Sequence, residues 1–276
     1  MIPGKAVSVI VTTKNSGRTL RDCMLSIKSQ SLKNIESIVV DNYSTDSTHD
    51  IATTFADYFF SKGPERSAQR NFGASVAEGK YLLFIDADMI LSPSLAEECV
   101  TLCDGRGIAA LYIPEKVRGV GLWVKVRNFE RSFYTGTVID AVRFLKREYF
   151  ESIGGFDESL TGLEDWDFDR RVRNSFKTGI VSSYIEHDES DFSLVDYVRG
   201  KEYYSSWFGA YKKKWGTQDP EIAKQFGIRY RIVQVFVENG RWKKLLSHPG
   251  LAVLMIYLRF RVSLMYIVRL RSPRPH

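Results

Sequence analysis

Asp86 and Asp88 stand one residue apart where the apolar run 81–85 ends. Two carboxylates on alternate residues of a chain leaving a strand can grip a hard divalent cation and, through it, a phosphate. A second constellation, Glu164, Asp165, Asp167 and Asp169, sets four acids within six residues, beside Arg170 and Arg171. A carboxylate positioned against a hydroxyl can take its proton as the oxygen attacks. Between the two lie Arg66 and Arg70, four residues apart and so on one helix face, spaced to meet a diphosphate bidentately. Asp41 closes another apolar run, where an acid can accept from a ribose hydroxyl or a base N–H. Asp46 instead precedes a helical pattern and reads as its cap. His187 follows a short β segment, a position as ordinary for a packing residue as for a ligand.

These side chains need elements to hold them. β-Branched and apolar runs predict strands over 7–13, 35–40, 58–60, 81–85, 108–113, 138–145 and 179–184. Helical spacing predicts helices over 19–30, 47–55, 66–77, 95–102 and 147–153, and another opening at Glu164. Such alternation calls for a mainly parallel sheet with crossover helices, whose ligands lie beyond the strands' carboxyl ends. No G-x-G-x-x-G follows the first strand, so a dinucleotide site of the usual type is not expected. Gly154 and Gly155 permit backbone turns ahead of the second acidic cluster.

The order of these stretches resembles a family 2 glycosyltransferase with the GT-A fold. The residues concerned are Val7 to Asn15, Ile38 to Thr48, Arg70 to Gly73 and Phe84 to Asp88. The resemblance covers about the first 190 residues. It implies that Thr12, Lys14, Asn15 and Asp41 at the first two strand ends contact the nucleotide, with Arg66 and Arg70 on the donor. It implies further that Asp86 lies near the ribose or the metal and that Asp88 ligates Mg²⁺ or Mn²⁺. The acidic cluster would supply the catalytic base, Asp165 with Glu164 as the alternative, and Asp167 or Asp169 as orienting neighbours. His187 matches a position used by some members as a further metal or diphosphate contact. Residues 117–131 fall where members often contact the acceptor. Asn42 stands where members commonly carry a second acid, which leaves the donor base open. The expected reaction is inverting transfer of a sugar from a nucleoside diphosphate-sugar to a hydroxyl.

A chain of 276 residues, 44% hydrophobic, is long enough for one large α/β core and a smaller appendage. The expected division is a GT-A-like domain over 1–190 and a helical, basic region over 191–276. Three cysteines are too few for a disulfide framework and read as reduced packing residues. No signal peptide is read at the start, which predicts a cytoplasmic protein. From Arg229 onward ten Lys/Arg face one acid, Glu238, a net +9 in a chain of net +6, so the first 228 residues carry −3. The basic character therefore belongs to the tail. A helix is expected over 192–215, rich in Tyr, Trp and Lys. The apolar stretch 251–270 is interrupted by Arg259, Arg261 and Arg269, which suits lying on an anionic membrane face better than crossing it. Packing on the core, or pairing with a second copy as a homo-oligomer, is the alternative for this region. A lipid-linked or membrane-proximal acceptor follows from the tail alone, and no nucleic-acid partner is expected. The competing functions are a non-enzymatic membrane- or nucleic-acid-binding module, a nucleotidyltransferase and a haloacid dehalogenase-type phosphatase.

Overall fold

The computed structural model describes residues 4–188 and 207–271, with side chains as far as residue 260. A seven-stranded, mainly parallel sheet runs in the order β3-β2-β1-β4-β8-β6-β9. Its centre is β1 (Val7–Thr13), buried throughout, between β2 (Ile35–Asp41) and β4 (Tyr81–Asp86). Burial on both faces explains why these strands read as unbroken apolar runs rather than alternating ones. Their parallel register sets Thr12 beside Asp86 and Thr13 beside Asp41. The polar residues thus collect at one edge of the sheet. β3 (Tyr58–Ser61) extends that parallel half. On the other side β8 (Phe144–Lys146) runs antiparallel to both β4 and β6 (Ala110–Tyr112), and β9 (Thr178–Ile180) lies parallel to β6.

A second, three-stranded sheet forms beyond the end of β4. β5 (Met89–Leu91) pairs antiparallel with β10 (Ile185–His187), which pairs parallel with β7 (Glu115–Val117). The register sets His187 opposite Met89 and Val117. The sequence predicts one strand over 179–184 and another over 138–145; the chain instead forms β9 at the start of the first region and β10 just after it, and keeps only the end of the second. The 138–143 segment is drawn into other bonding, with Val142 N donating to Asp169 Oδ1 at 3.2 Å. Residues 117–131, assigned no element from sequence, end in α5 (Leu122–Arg131).

The helices α1 (Leu20–Lys28), α2 (Thr48–Phe55), α3 (Arg66–Val76), α4 (Leu95–Arg106) and α6 (Arg147–Ser152) fall close to their predicted places. α3 lies hard against β1 and β2 because Gly73 has no side chain; a Cβ there would sit 2.5 Å from Ile10 Cγ2. α7 (Glu164–Ser175) buries Phe168 and Val172 against Phe84, Phe150 and Phe156. All three cysteines are free and buried, as packing residues should be.

The C-terminal helices are α8 (Phe208–Trp215), α9 (Pro220–Phe226), α10 (Trp242–Ser247) and α11 (Pro249–Arg271). α8 forms the end of the helix expected over 192–215, and the rest of that helix falls in residues 189–206, outside the described residues. α8 and α9 pack on α7 through Trp166, Leu160, Tyr211 and Ile222, and α11 packs on α5. No helix among the described residues is long and apolar enough to cross a membrane.

Phe168 joins α7 to the sheet, its ring 4.2 Å from that of Phe156 and 5.6 Å from that of Phe150. Phe168→Ala is expected to cost about 3–5 kcal/mol through the cavity it leaves. Urea unfolding of the two proteins measures that difference.

Candidate active site

The site is built where four pieces of chain meet: the ends of β1 and β4, the first turn of α3, and the first turn of α7. Arg70 lies at their junction and is only 1% exposed. Its Nη1 donates to Asp165 Oδ1 at 2.5 Å, and its Nη2 to Asp86 Oδ1 at 3.2 Å. Glu164 Oε1 stands 3.6 Å from the same Nη1, and the guanidinium lies over the Phe156 ring. The next residue, Asn71, accepts from Phe156 N at 2.8 Å and donates to Phe156 O at 2.9 Å. Two adjacent side chains of α3 thereby fix the turn that leads into α7. Gly154 and Gly155 in that turn have φ of 77° and 65°, the left-handed region that the pair of glycines predicted.

Asp86 also accepts from Thr12 Oγ1 at 3.1 Å and lies 4.0 Å from Arg66 Nη1. Burial works to raise its pKa, but Arg70, Arg66 and Arg143 overcome that and hold the carboxyl well below the usual range. Glu164 differs. It is buried, its oxygens receive no hydrogen bond, and burial together with neighbouring Asp165 raises its pKa. Asp165 keeps its side chain 35% exposed while Arg70 fixes one oxygen.

The other two acids of the cluster turn away. Asp167 accepts from Arg171 Nε at 2.8 Å and from Trp215 Nε1 at 2.9 Å, tying α7 to α8. Asp169 pairs with Arg173 at 2.6 Å, and burial pushes its carboxyl up to about 6. Neither orients Asp165, as the sequence reading allowed; both brace the helix. Arg171 is held by Asp167 and by Ile153 O. Arg70 likewise differs from the diphosphate clamp expected of it. Its guanidinium is desolvated among carboxylates, while Arg66, one turn earlier, is 35% exposed.

The turn after Asp86 puts Asp88 at the head of β5, and the β5–β10 pairing brings His187 to it. Asp88 Oδ2 and His187 Nδ1 are 3.7 Å apart, and the Asp88 side chain is 45% exposed. His187 Nε2 faces Glu115 Oε2 at 3.3 Å. Burial alone would lower the His187 pKa, but Asp88 and Glu115 push it up to about 9. Among the described residues no three His, Cys, Asp or Glu side chains form a ready-made metal cage. The donor set nevertheless suits a cation such as Mn²⁺ or Mg²⁺ that keeps water and substrate phosphate ligands and takes few from protein.

Sequence reasoning missed the residues behind His187. Glu115 accepts from Arg143 Nε and Nη2 at 2.9 and 2.6 Å, and from Arg131 Nη1 at 2.6 Å. Asp140 accepts from Gly136 N at 2.8 Å, and burial with nearby Glu115 pushes it up to about 8. The only hint was an acid inside an otherwise unremarked short run, because β7, α5 and the approach to β8 converge through tertiary packing.

At the other strand ends, Asp41 is buried and accepts from Thr13 Oγ1 and from Ser44 N, both at 2.7 Å. Lys14 Nζ donates to Asn42 O and to Tyr43 O. Asn15, at φ 49°, accepts from Thr45 N at 2.9 Å. Asp46 accepts from Thr48 N at 3.0 Å and from Gly17 N at 2.9 Å, the capping part assigned to it. The loops after β1 and β2 are thus knitted into one rim.

Residues 8–154, more than half of the chain, match the sequence profile of glycosyl transferase family 2. The chain belongs to that family. This glycosyltransferase is 26% identical over 256 residues to a PGL/p-HBAD biosynthesis glycosyltransferase of Mycobacterium bovis (strain BCG), covering 87% of this chain and 92% of the relative. Among solved structures, the mannosyltransferase PcManGT of Pyrobaculum calidifontis, in complex with GDP-Man and Mn²⁺, superposes with a TM-score of 0.58. It is 17% identical and covers 96% of this chain and 82% of that one. TarS 1-349 of S. aureus gives 0.57 at 18% identity, covering 91% and 78%; of a longer TarS chain this glycosyltransferase spans 36%. These likenesses carry the GT-A-type fold, with a helical C-terminal region added to it. Family membership sets aside the phosphatase, the nucleotidyltransferase and the non-enzymatic module.

Replacing Arg70 by Met leaves Asp86 and Asp165 without their shared cation. The expected loss is about 3 kcal/mol, low in the range for a broken buried pair because Asp165 is a third exposed. Because the folded-state pKa of Asp86 is depressed, its stabilising contribution is present above the ordinary value of 3.8 and fades as pH falls through the folded value. Urea unfolding across pH should therefore show the gap between Arg70→Met and the natural protein narrowing below about pH 4.

Proposed function

We propose that the protein is a metal-assisted, inverting glycosyltransferase that moves a sugar from a nucleoside diphosphate-sugar to an acceptor hydroxyl. The observation that carries this reading is the bridge from Asp86 through Arg70 to Asp165. It sets a strand-end carboxylate on the donor side and a half-open carboxylate on α7 into one rigid site. PcManGT bound to GDP-Man and Mn²⁺, and TarS 1-349 bound to UDP and to UDP-GlcNAc, support a nucleotide-sugar donor.

In this reading the rim formed by Thr12, Lys14, Asn15 and Asp41 receives the nucleoside. Asp86 stays ionised beside it, and Arg66 faces the diphosphate from the more exposed end of α3. Asp88 and, once it has given up its proton, His187 would hold the Mg²⁺ or Mn²⁺ ion, whose charge would offset that gathering on the leaving diphosphate. Asp165 takes the proton from the attacking hydroxyl. Its exposure lets an acceptor reach it, whereas Glu164 is buried out of an acceptor's reach. One displacement without a covalent sugar intermediate inverts the anomeric centre. The acceptor is lipid-linked or membrane-proximal, and the enzyme works peripherally at the cytoplasmic membrane face.

Asp165→Asn keeps an oxygen for Arg70 and removes only the proton acceptor. Turnover should fall about 10²–10⁴-fold, with the donor KM and the melting temperature nearly unchanged. The assay is release of nucleoside diphosphate from a panel of UDP- and GDP-sugars with candidate acceptors. Near-normal turnover would assign the base elsewhere.

A further inference from the structure

α11 has two different faces. Ala252 and Met255 are buried, with Leu251, Leu254 and Leu258 partly so, against Val126, Phe129 and Phe133 of the α5 region. Arg259 also turns inward, donating to Glu130 Oε1, the Tyr134 hydroxyl and Arg231 O. This arginine, which in sequence only interrupts an apolar stretch, therefore locks the helix onto the catalytic domain. The opposite face carries Val253, Ile256, Tyr257 and Phe260, at i, i+3, i+4 and i+7, each between 48% and 66% exposed. That spacing makes one continuous apolar stripe turned to solvent. The stripe does not end with the helix. Trp123, at the start of α5, stacks on Tyr257 with ring centroids 6.5 Å apart, and Leu122 beside it is half exposed. Val120, just ahead of them, is 96% exposed.

Val120 on the loop, Leu122 and Trp123 at the start of α5 and four side chains of α11 form a run of exposed apolar residues of the kind that marks an interaction surface. Charge selects what covers it. From Arg241 to the end of the chain there are eight Lys/Arg and no acid. Arg259 is spent on Glu130 and Arg241 on Glu238, but the other six leave the segment that bears the stripe cationic, so two copies meeting through it would bring like charges together, which costs association energy. An anionic bilayer satisfies both the apolar stripe and the charge.

We infer that the outer face of α11, extended by Val120, Leu122 and Trp123, seats on an anionic lipid bilayer. The seat adjoins the site. Val117 of β7 pairs with His187, and Val120 follows three residues later, a reach of at most about 10 Å. Resting on the transferase reading above, this placement makes the acceptor a hydroxyl carried on a lipid, presented at the mouth beside Asp88 and His187.

The test is co-flotation of the full chain with vesicles of phosphatidylcholine alone or containing about 30% phosphatidylglycerol. The protein should float with the anionic vesicles and release as salt rises to about 0.5 M, where screening shortens the reach of charge. The double variant Ile256→Asp, Phe260→Asp should lose at least about tenfold in vesicle binding. Trp123→Ser, on a different element, should weaken it in the same direction. Nucleotide binding in solution should be unchanged in both, which separates failure of the docking face from failure of the transferase reading. Equal flotation of natural and variant proteins, or none with anionic vesicles, overturns the inference. A natural dimer that the same substitutions convert to monomers overturns it in favour of a second copy.

Discussion

One buried cation organises this enzyme. Arg70 has almost no contact with water, and a guanidinium in that setting is tolerable only because Asp86, Glu164 and Asp165 surround it. The need is mutual. Asp86 ends a strand of the central sheet and Asp165 opens a helix on its flank, so each carboxylate is held where the other's scaffold ends. Satisfying the arginine therefore fixes the distance between the two halves of the site. Asn71, Gly154 and Gly155 serve the same constraint by clamping the turn ahead of α7.

A second hub works beside the first. Glu115 gathers Arg131, Arg143 and His187, and the short sheet β5-β10-β7 delivers His187 to Asp88. The two hubs divide the charges by role. Asp86 and Glu115, each held by arginines, stay in place with their carboxyls well below the usual range, while Asp88 and Asp165 keep part of their side chains exposed, open in the proposed reading to a cation and a hydroxyl. The division arises from packing rather than residue type, since all of these acids are aspartates or glutamates.

The parts of this arrangement carried by continuous stretches were legible in the sequence. β1, β2 and β4 announce themselves as apolar runs ending in polar residues, and their parallel register follows from the crossover helices. Asp86, Asp88 and the acids at 164–169 were found because motif order and spacing survive in one dimension. Their roles were less legible. Nothing in the spacing tells that Asp165 faces the site while Asp167 faces Trp215, or that Arg70 is buried while Arg66 is not. Glu115, Arg131 and Arg143 could not be grouped at all, because they come from three elements. Arg259 shows the same limit: its partner Glu130 lies 129 residues earlier, so an internal tie looked like a break in an apolar helix.

The account stands on the donor side of the site being a metal-assisted nucleotide cradle. The most direct measurement is calorimetric titration of the full chain with UDP, GDP, CMP and dTDP, each with and without Mn²⁺. The account predicts that one of these nucleotides binds, that Mn²⁺ strengthens it, and that Asp88→Ala removes the metal's contribution. Binding by none of them, or binding indifferent both to Mn²⁺ and to Asp88, would contradict it.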